Sequence, residues 1–554
     1  MAYAFDRFLR FDELTAWLDD VAASHPDLVA IEEYGRSHEG RPLRIVTVTD
    51  TATGAHDTKP AMWVDASIHA VELTATVAAC HLIQRLVDGH GSDDVITRAL
   101  ATRTFYVVPR VNPDGAEWVL ADSPRHRRSS TRDWPWSDGH EWPGLHLEDL
   151  TGDGRIRQMR VADSDGGWTP HADDARLMVP IPAEGAVDGT PTYRLLDEGR
   201  VVDHDGFTIP TPSAPQGLDL NRNYPAGWST SVTGAGDHPL SEPEIDALVR
   251  AMIARPNVCG FNAYHTSGGV LLRPSSTKAD AKLPRVDVWA WKQLGERGTQ
   301  LTGYPTHSVY EDFTWDPSNT MSGASDDWAY EHLGVFGWTT EFWDVIQQAT
   351  GEKQPTTFWY TGPTDEQALA VLRWCDDNYP GAYGEWQPFE HPQLGPVELG
   401  GWDLVAAWTN PPDDRLRDEV AAHADFAVFQ ALCAPELTIP HLVASAVGDD
   451  TWRLDVGIAN TGWLATDVTE HARQANLVRP LTVEVDGADV IDGPARRRAG
   501  QLDGRAALRF SGGNDGTPDR TLVTFTIRGV AGSDVNVVAD HPRAGRVEAT
   551  IVLG

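Results

Sequence analysis

A histidine and a glutamate three residues apart follow an apolar segment that ends at Ala66. The two residues, His69 and Glu72, form an H-x-x-E motif. An imidazole and a carboxylate at this spacing can both turn toward one Zn²⁺, which accepts nitrogen and oxygen ligands. A candidate third ligand, His265, ends another apolar segment. Three protein ligands leave one position of a tetrahedral site open for water, which is typical of catalytic zinc.

Each of these residues taken alone has a simpler interpretation. His69 would be a helix-capping or surface residue. His265 would be a hydrogen-bonded loop residue at a strand end. The metal-site hypothesis therefore depends on further motifs in the chain.

Helix-like and strand-like segments alternate over the first 110 residues and again after residue 240. Apolar residues recur at three- and four-residue steps in the predicted helices, and short apolar runs mark the predicted strands. This alternation predicts an α/β fold with a mixed, largely parallel sheet flanked by helices, whose chemistry normally lies at strand ends. The predicted helices span residues 11–23, 72–87, 242–254, 286–298 and 364–378, and the predicted strands span residues 43–48, 61–66, 105–111, 257–264 and 337–342.

Residues 121–217 differ in composition from the segments on either side. They are rich in Asp, Gly, Pro, Arg and Trp, with almost no periodicity. Such a length is unusual for a connection inside a compact domain, and the Trp content favours an ordered insertion over disorder.

The pattern changes again after residue 435. Short alternating segments with turn residues between them predict an all-β sandwich. We therefore predict a catalytic domain over residues 1–435, with the insertion at 121–217, and a β-sandwich accessory domain over residues 436–554. The predicted strands of the sandwich are residues 453–458, 481–485, 506–510, 521–527 and 547–552.

The charge balance excludes several classes of partner. The 554 residues carry 81 Asp and Glu against 45 Lys and Arg, a net charge of −36. This argues against nucleic acid or an anionic membrane surface as a partner. We see no signal-peptide pattern and no apolar run of about 18 residues, so we expect a cytoplasmic protein without a membrane segment. Four widely spaced cysteines without a C-x-x-C predict buried thiols.

Further motifs occur in a fixed order over residues 5–380. They are residues 35–41 (Gly-Arg-Ser-His-Glu-Gly-Arg), the His69 and Glu72 pair, 112–115 (Asn-Pro-Asp-Gly), 219–225 (Asp-Leu-Asn-Arg-Asn-Tyr-Pro), 241–244 (Ser-Glu-Pro-Glu), His265 and 339–341 (Thr-Thr-Glu). As an ordered set they are far more specific than any single motif. The chain thereby resembles the zinc carboxypeptidase family, the carboxypeptidase A/B-like metallopeptidases, as a bacterial-type member with a long insertion and a C-terminal β domain.

The resemblance implies one Zn²⁺ per chain, bound by His69, Glu72 and His265. Asp219 would accept the free N–H of the first zinc histidine and fix its tautomer, a turn residue being the alternative. Glu341 would be the general base that takes a proton from the zinc-activated water and later delivers it to the leaving amine. A strand-end Glu in a salt bridge is the alternative for Glu341.

The resemblance also implies which residues bind the substrate. Asn221 and Arg222 would hold a terminal carboxylate, because a guanidinium offers it two parallel donors. A further arginine would polarise the scissile carbonyl and stabilise the oxyanion. Within residues 125–132 we choose Arg128 for this role, with Arg127 and Arg132 as alternatives.

Two positions of the segment 317–330 bear on substrate selection. Asn319 stands where digestive members of the family carry a mobile Tyr, and Tyr310 is a candidate substitute. Asp326 stands where members selecting Lys or Arg carry an Asp, so a basic terminal side chain or the amine of a diaminopimelate residue would be preferred. Alternatively, Asp326 caps a helix that starts near Trp328.

The insertion contributes two hypotheses. Its tryptophans, Trp134, Trp136, Trp142 and Trp168, could narrow the cleft for short or sugar-linked peptides. Residues 149–156 are similar to the first half of a calcium loop, which makes Ca²⁺ a second candidate cofactor. The twelfth position of that loop is Arg160 where a bidentate Glu is expected, so a Gly-Asp turn is the alternative.

Together these features predict a zinc-dependent metallocarboxypeptidase. Its partner would be a peptide with a free C-terminal carboxylate, with basic terminal residues as the candidate preference. One alternative is an amidase or carboxypeptidase acting on peptidoglycan-derived peptides. A catalytically silent peptide-binding protein is another alternative, and the sequence does not determine the oligomeric state.

Overall fold

The amphipathic segment near the N-terminus forms a helix that buries Leu14, Trp17, Leu18 and Val21. This helix is the first element of the fold. The computed structural model describes residues 3–135, 141, 143–187, 189–210, 217–314, 320–507 and 515–554. In chain order the helices are α1 (Phe11–Ser24), α2 (Leu73–Gly89), α3 (Asp94–Thr102), α4 (Pro113–Val119), α5 (Pro243–Ile253), α6 (Arg285–Thr302), α7 (Ser325–Trp328), α8 (Val345–Thr350), α9 (Phe358–Thr361), α10 (Asp365–Asn378), α11 (Leu416–Leu432) and α12 (Glu470–Ala475). Helix α7 continues directly as a π-helical turn, Ala329–Leu333.

The strands fall into two groups along the chain. The first group comprises β1 (Val29–Arg36), β2 (Pro42–Val48), β3 (Ala61–Ala66), β4 (Thr104–Val108), β5 (Gly144–Leu147), β6 (Gln158–Ala162), β7 (Trp168–Pro170), β8 (Met178–Pro180), β9 (Tyr193–Asp197), β10 (Gly199–Val202), β11 (Val258–Thr266), β12 (Val270–Arg273), β13 (Thr306–Ser308), β14 (Phe336–Phe342), β15 (Tyr383–His391) and β16 (Gly395–Trp402). The second group comprises β17 (Leu437–Gly448), β18 (Thr451–Asn460), β19 (Leu481–Asp486), β20 (Asp489–Val490), β21 (Arg496–Gly500), β22 (Arg520–Arg528), β23 (Asp534–His541) and β24 (Gly545–Val552).

A mixed sheet forms the centre of the larger part of the protein. In the described chain its order is β1-β2-β4-β3-β11-β14-β12-β13. The middle strands β4, β3, β11 and β14 run parallel to one another and are buried along nearly their whole length, as expected for a sheet covered by helices on both faces. The predicted fold class is confirmed.

The register of the parallel strands brings the chemistry-bearing residues to one edge of the sheet. Tyr264 of β11 pairs with Ala66, the last residue of β3. The next residue, His265, pairs with Glu341 of β14. Because carboxyl ends of parallel strands meet at one edge, the loop after Ala66, His265 and Glu341 converge there.

The described residues of the insertion form six short strands. Strands β6, β9, β7 and β8 join the hairpin β15–β16, from far along the chain, in the order β15-β16-β6-β9-β7-β8. Strands β5 and β10 pair separately. These strands are three to five residues long, too short to show a periodic pattern, which is why the sequence predicted an irregular segment.

The residues from Leu437 to Leu553, here called the C-terminal domain, form two antiparallel sheets. Their orders in the described chain are β17-β18-β22-β20 and β21-β19-β23-β24, and their inner faces share a core of their own. Most predicted strands are present. The predicted strand at 506–510 is wrong for Ala506 and Ala507, which lie in a turn, and its other residues lie outside the described part of the chain.

The long helix α11 was not predicted from the sequence. It packs against α2 and α6 and is buried on several sides, by Val420, Ala424, Phe426 and Val428 among others. Its buried residues are not confined to one face, so the helix lacks the one-sided apolar stripe on which the prediction depends.

Two simpler expectations concern the whole chain. All four cysteines are free and buried, which confirms the prediction of buried thiols. No helix in the described ranges combines the length and the apolar character that crossing a membrane requires.

A buried histidine of α11 should make the folding stability of the protein sensitive to acid. His423 packs between the rings of Tyr304 and Phe342, its Nδ1 has no described partner, and burial lowers its pKa to about 3. Below about pH 6.5 the unfolded chain binds a proton there that the folded chain does not. Folding stability should therefore fall as the pH drops, by about 1.4 kcal/mol per unit from this group.

Replacing His423 with phenylalanine should remove this part of the acid sensitivity. Between pH 6.5 and 5 the variant should retain about 2 kcal/mol more of its stability than the wild type does. Urea unfolding at the two pH values measures the difference, with the exposed His441→Phe as the matched control. Equal pH dependence in His423→Phe and wild type would show that His423 is not the acid-sensitive group.

Candidate active site

Three buried side chains converge at the carboxyl edge of the central sheet. His69 and Glu72 lie in the tight turn between β3 and α2, and His265 lies near the end of β11. One ligand atom from each lies within 4.8 Å of the others. The Nδ1 atoms of the two histidines are 3.2 Å apart, and each is within 2.8 Å of a Glu72 carboxylate oxygen. The structure thus brings together the three ligands predicted from the sequence.

Asp219 lies behind the first histidine. Its Oδ1 is 3.1 Å from Nε2 of His69. Because a carboxylate only accepts, Nε2 of His69 carries a proton toward Asp219, which leaves Nδ1 as the ring nitrogen that could bind a metal. Asp219 is also a turn residue, the alternative predicted from the sequence, since it caps a short 3₁₀ turn by accepting the N–H of Asn221.

The ionisation of this cluster follows from opposing effects. Burial raises the pKa of the Glu72 carboxyl, but the nearby His69 and His265 outweigh burial and lower it well below its usual range. The pKa of Asp219 is likewise held low against burial, by His69 and Arg222. Both carboxylates are therefore charged, as metal coordination and its supporting hydrogen bonds require.

Glu341 faces this cluster from the neighbouring strand β14. Burial raises its pKa to about 8, against a smaller opposing effect from His265. Its Oε2 is buried and has no hydrogen-bond partner among the described residues. A carboxyl group in this state is suited to exchange a proton near neutral pH. No described residue forms a salt bridge with Glu341, which speaks against the salt-bridge alternative.

Of the three candidate arginines, Arg128 lies in the site. Its Nη1 is 3.4 Å from Glu72 and its Nε is 3.6 Å from Asp219. Arg127 pairs instead with Asp133.

The remaining candidate, Arg132, is held away from the site. Its guanidinium pairs with the buried Glu242 at 2.7 Å and with Asp237 at 3.3 Å. Arg127 and Arg132 each have a structural partner outside the cluster. Of the three candidates, Arg128 alone has its guanidinium beside the candidate metal ligands.

The predicted substrate-binding residues line the same cavity, which has a volume of about 240 Å³. Asn221 accepts the N–H of Ser325 through Oδ1, and Arg222 donates to the Asn221 carbonyl at 2.6 Å. Asp326 is 3% exposed, and burial raises its pKa. Within the described ranges, no cationic side chain lies at ion-pair distance from Asp326.

The helix-cap alternative for Asp326 is wrong. The helix begins at Ser325, its N-cap is Ala324, and Asp326 lies inside its first turn. The neighbouring Asp327 turns elsewhere and accepts the N–H of Ser276 with both oxygens.

Aromatic residues that sequence analysis missed form another wall of the cavity. Phe313 and Trp359 line it and lie 6.1 Å apart, ring to ring. They come from a short π-helical turn, Val309–Phe313, and from the four-residue helix α9, neither of which has a readable sequence pattern.

The aromatic side chains predicted for this wall are elsewhere. Trp134 and Trp168 do not line the cavity, so the prediction that they narrow it is wrong for them. The Trp134 indole donates instead to Asp237, and Trp168 lies in β7. Trp136, Trp142 and Asn319 lie outside the described residues. Tyr310 does not line the cavity either.

Comparison with known proteins decides the family. Residues 14–142 and 191–358, more than half of the chain, match the family model described as Zinc carboxypeptidase. The chain belongs to the zinc carboxypeptidase family. Residues 436–552 match a second model, described as Domain of unknown function (DUF8731). The predicted resemblance is confirmed.

Individual relatives in the zinc carboxypeptidase family are distant. "Carboxypeptidase B" of Astacus astacus is 33% identical over 119 residues, covering 22% of this chain and 37% of that protein. "Inactive metallocarboxypeptidase ECM14" of Saccharomyces cerevisiae is 28% identical over 26% of this chain and 36% of its own length. This chain therefore spans little more than a third of these two relatives.

Other matches extend over more of the chain. "Carboxypeptidase B2" of Rattus norvegicus is 28% identical over 386 residues, which cover 66% of this chain and 69% of that protein. The crystal structure of thrombin activatable fibrinolysis inhibitor (TAFI) is 16% identical, with a TM-score of 0.44, over 78% of this chain and 75% of that chain.

The donor set fits the zinc that the family name implies. Two imidazole nitrogens and a carboxylate are the ligand types of catalytic zinc sites, and here the three ligand atoms lie within 4.8 Å of one another. Asp219 accepts a hydrogen bond from His69, and a carboxylate is a common hydrogen-bond partner of a histidine that binds zinc.

The calcium-like loop of the insertion folds as a turn. The Asp149 carboxylate accepts the backbone N–H groups of Thr151, Gly152 and Gly154, and Asp153 pairs with Arg157. In the part of the chain that the structure describes, His69, Glu72 and His265 are the only group of three or more potential metal ligands that converges. The Gly-Asp turn predicted as the alternative to Ca²⁺ is what the loop forms.

Proposed function

We propose that this protein is a zinc-dependent metallocarboxypeptidase that hydrolyses the C-terminal peptide bond of peptides and prefers basic terminal residues. One observation carries the proposal. The converging ligands His69, Glu72 and His265 share a single cavity with the unpartnered carboxyl of Glu341 and the guanidinium of Arg222. A metal site, a proton acceptor and an anion clamp in one cavity are what hydrolysis at a chain terminus requires.

His69, Glu72 and His265 would hold the zinc. A bound Zn²⁺ supplies Lewis acidity, which polarises a carbonyl and makes a water molecule more acidic. Glu341 accepts the proton of the attacking water as the new C–O bond forms. It then delivers that proton to the amine nitrogen as the C–N bond breaks. Arg128 donates to the carbonyl oxygen as negative charge builds there.

Arg222 would recognise the terminal carboxylate. Replacing Arg222 with methionine should raise KM for peptides with a free C-terminus by about 100-fold or more, because a charge-assisted pair with the terminal carboxylate is lost. Steady-state kinetics on free and amidated versions of one peptide measure this. Arg127→Met, which removes an arginine outside the cavity, is the matched control. Equal wild-type cleavage of the amidated peptide would contradict the carboxypeptidase proposal and favour the amidase alternative.

Asp326 would select the terminal side chain. A carboxylate buried without a cationic partner is costly, and a Lys or Arg side chain entering the cavity would supply that partner. Asp326→Asn should lower kcat/KM for peptides ending in Lys or Arg by about 100-fold, with less than about threefold change for peptides ending in Leu or Phe. Mass spectrometry of a mixed peptide pool gives both ratios.

Asp377→Asn is the control for that experiment, because Asp377 is an exposed residue of α10 and does not line the cavity. It should leave the ranking of the peptides unchanged. If wild type and Asp326→Asn release terminal Lys and Leu in the same ratio, the preference for basic residues is wrong while the peptidase proposal remains.

A catalytically silent binding protein is the second alternative, and one relative carries the word inactive in its name. This chain retains a carboxyl group at Glu341 and all three ligands, which supports turnover.

A further inference from the structure

The helix that carries Asp326 is fixed at its beginning by the active site. The N–H of Ser325 is accepted by Asn221, and the Asp327 carboxylate accepts the N–H of Ser276. The helix also lies directly on β14, since a Cβ added at Gly337 would be 2.6 Å from the Asp326 carbonyl oxygen. The first turn therefore has no free space beneath it.

The far end of the same helix is held by the C-terminal domain. Arg543, only 6% exposed, donates to the carbonyl of Leu333 and, at 3.1 Å, to that of Gly334. The hydroxyl of Thr469 donates to the Gly334 carbonyl at 3.0 Å. Carbonyls at the end of a helix have no partner within it, so these donors satisfy groups that the helix leaves open.

A second set of contacts holds the last turn from its side. Nε2 of His471 lies 2.9 Å from the Glu331 carbonyl oxygen. Asp287 of α6 accepts the Tyr330 hydroxyl and also the backbone N–H groups of Glu470 and His471, so one carboxylate ties the helix to the C-terminal domain.

The helix of residues 325–334 and the C-terminal domain are too closely packed to slide past each other. Gly334 ends the helix in the left-handed region, with φ of 66°, and an added Cβ would lie 2.5 Å from Cβ of Ala472 in α12. The backbone carbonyl of Arg543 also accepts the thiol of Cys259, in the strand that carries His265. One arginine thus contacts both the end of the helix and the strand of a predicted ligand.

We propose that the C-terminal domain positions Asp326, and so tunes recognition of the terminal side chain, by clamping the helix of residues 325–334 through Arg543 and Thr469. This inference rests on the proposed function for its effect on substrates. Nine helical residues span only about 13 Å, so a tilt at Gly334 reaches Asp326 directly. Arg543 and Thr469 are positioning residues, since neither lines the cavity.

The test uses the zinc-loaded full chain and Arg543→Met, which keeps most of the side-chain bulk but loses the donors. Hydrogen–deuterium exchange of residues 325–334 should become at least tenfold faster than in the wild type. KM for a peptide ending in Lys should rise about tenfold, with kcat within twofold and one zinc per chain retained. Thr469→Val, which loses a single hydrogen bond, should shift both quantities in the same direction by about threefold.

Arg498→Met is the matched control, because Arg498 is an exposed arginine of β21 in the same domain. It should leave exchange and kinetics at wild-type values. Unchanged exchange in 325–334 in both Arg543→Met and Thr469→Val would overturn the clamp. So would faster exchange over the whole chain with parallel losses of kcat and zinc, which would indicate a purely structural role.

The two proposals fail in different ways. If the zinc-loaded wild type cleaves no peptide, the proposed function is wrong. Exchange in 325–334 still decides the clamp in that case, because that measurement requires no turnover.

Discussion

Replacing Glu341 with glutamine should abolish peptide hydrolysis while the protein keeps its zinc. Glutamine has nearly the same shape but cannot accept the proton of the attacking water, so kcat should fall by about 10²- to 10⁴-fold. The side chain does not belong to the converging ligand cluster, and its Oε2 has no described partner, so neither the fold nor metal binding depends on it.

The measurement pairs kcat on a terminal-Lys peptide with metal content by atomic absorption. Glu296→Gln, a change of the same kind at an exposed position of α6, should behave as wild type. A Glu341→Gln enzyme that keeps more than a tenth of its turnover would show that another group moves the proton.

Replacing His265 with alanine should strongly lower the affinity of the protein for zinc. With two of the three converging ligands left, affinity should fall by more than the 10- to 100-fold that loss of an outer hydrogen-bonding partner typically costs. Asp219→Asn, which alters only such an outer partner of His69, should show that smaller loss. Competition with a chromogenic chelator ranks the wild type, Asp219→Asn and His265→Ala in that order.

The exposed His441→Ala should bind zinc as the wild type does and serves as the control. Equal zinc affinity in His265→Ala and wild type would remove His265 from the ligand set and with it the proposed centre.

The sequence could predict much of the candidate site because several of its residues lie at strand ends or soon after them. A buried parallel strand is readable as an apolar run, and the polar residue that follows it must lie at the carboxyl edge. His69, His265 and Glu341 all follow or end such runs. The ordered motifs then assigned their roles by resemblance.

Site residues that do not lie at the ends of buried strands were not predictable in the same way. Phe313 and Trp359 reach the cavity from short turns whose position depends on tertiary packing. The choice of Arg128 over its neighbours needed the partners of Arg127 and Arg132, which lie far away along the chain or in irregular segments. The contact of Arg543 with Gly334 joins residues some two hundred positions apart and leaves no local pattern.

The shared sheet of the insertion has a practical consequence for protein engineering. Strand β16 pairs with β6 on one side and with β15 on the other. Trimming the insertion to obtain a minimal peptidase would leave β16 as a bare edge, with unpaired backbone groups open to other molecules. A shortened protein must therefore also lose or redesign the hairpin of residues 383–402, or it will tend to aggregate.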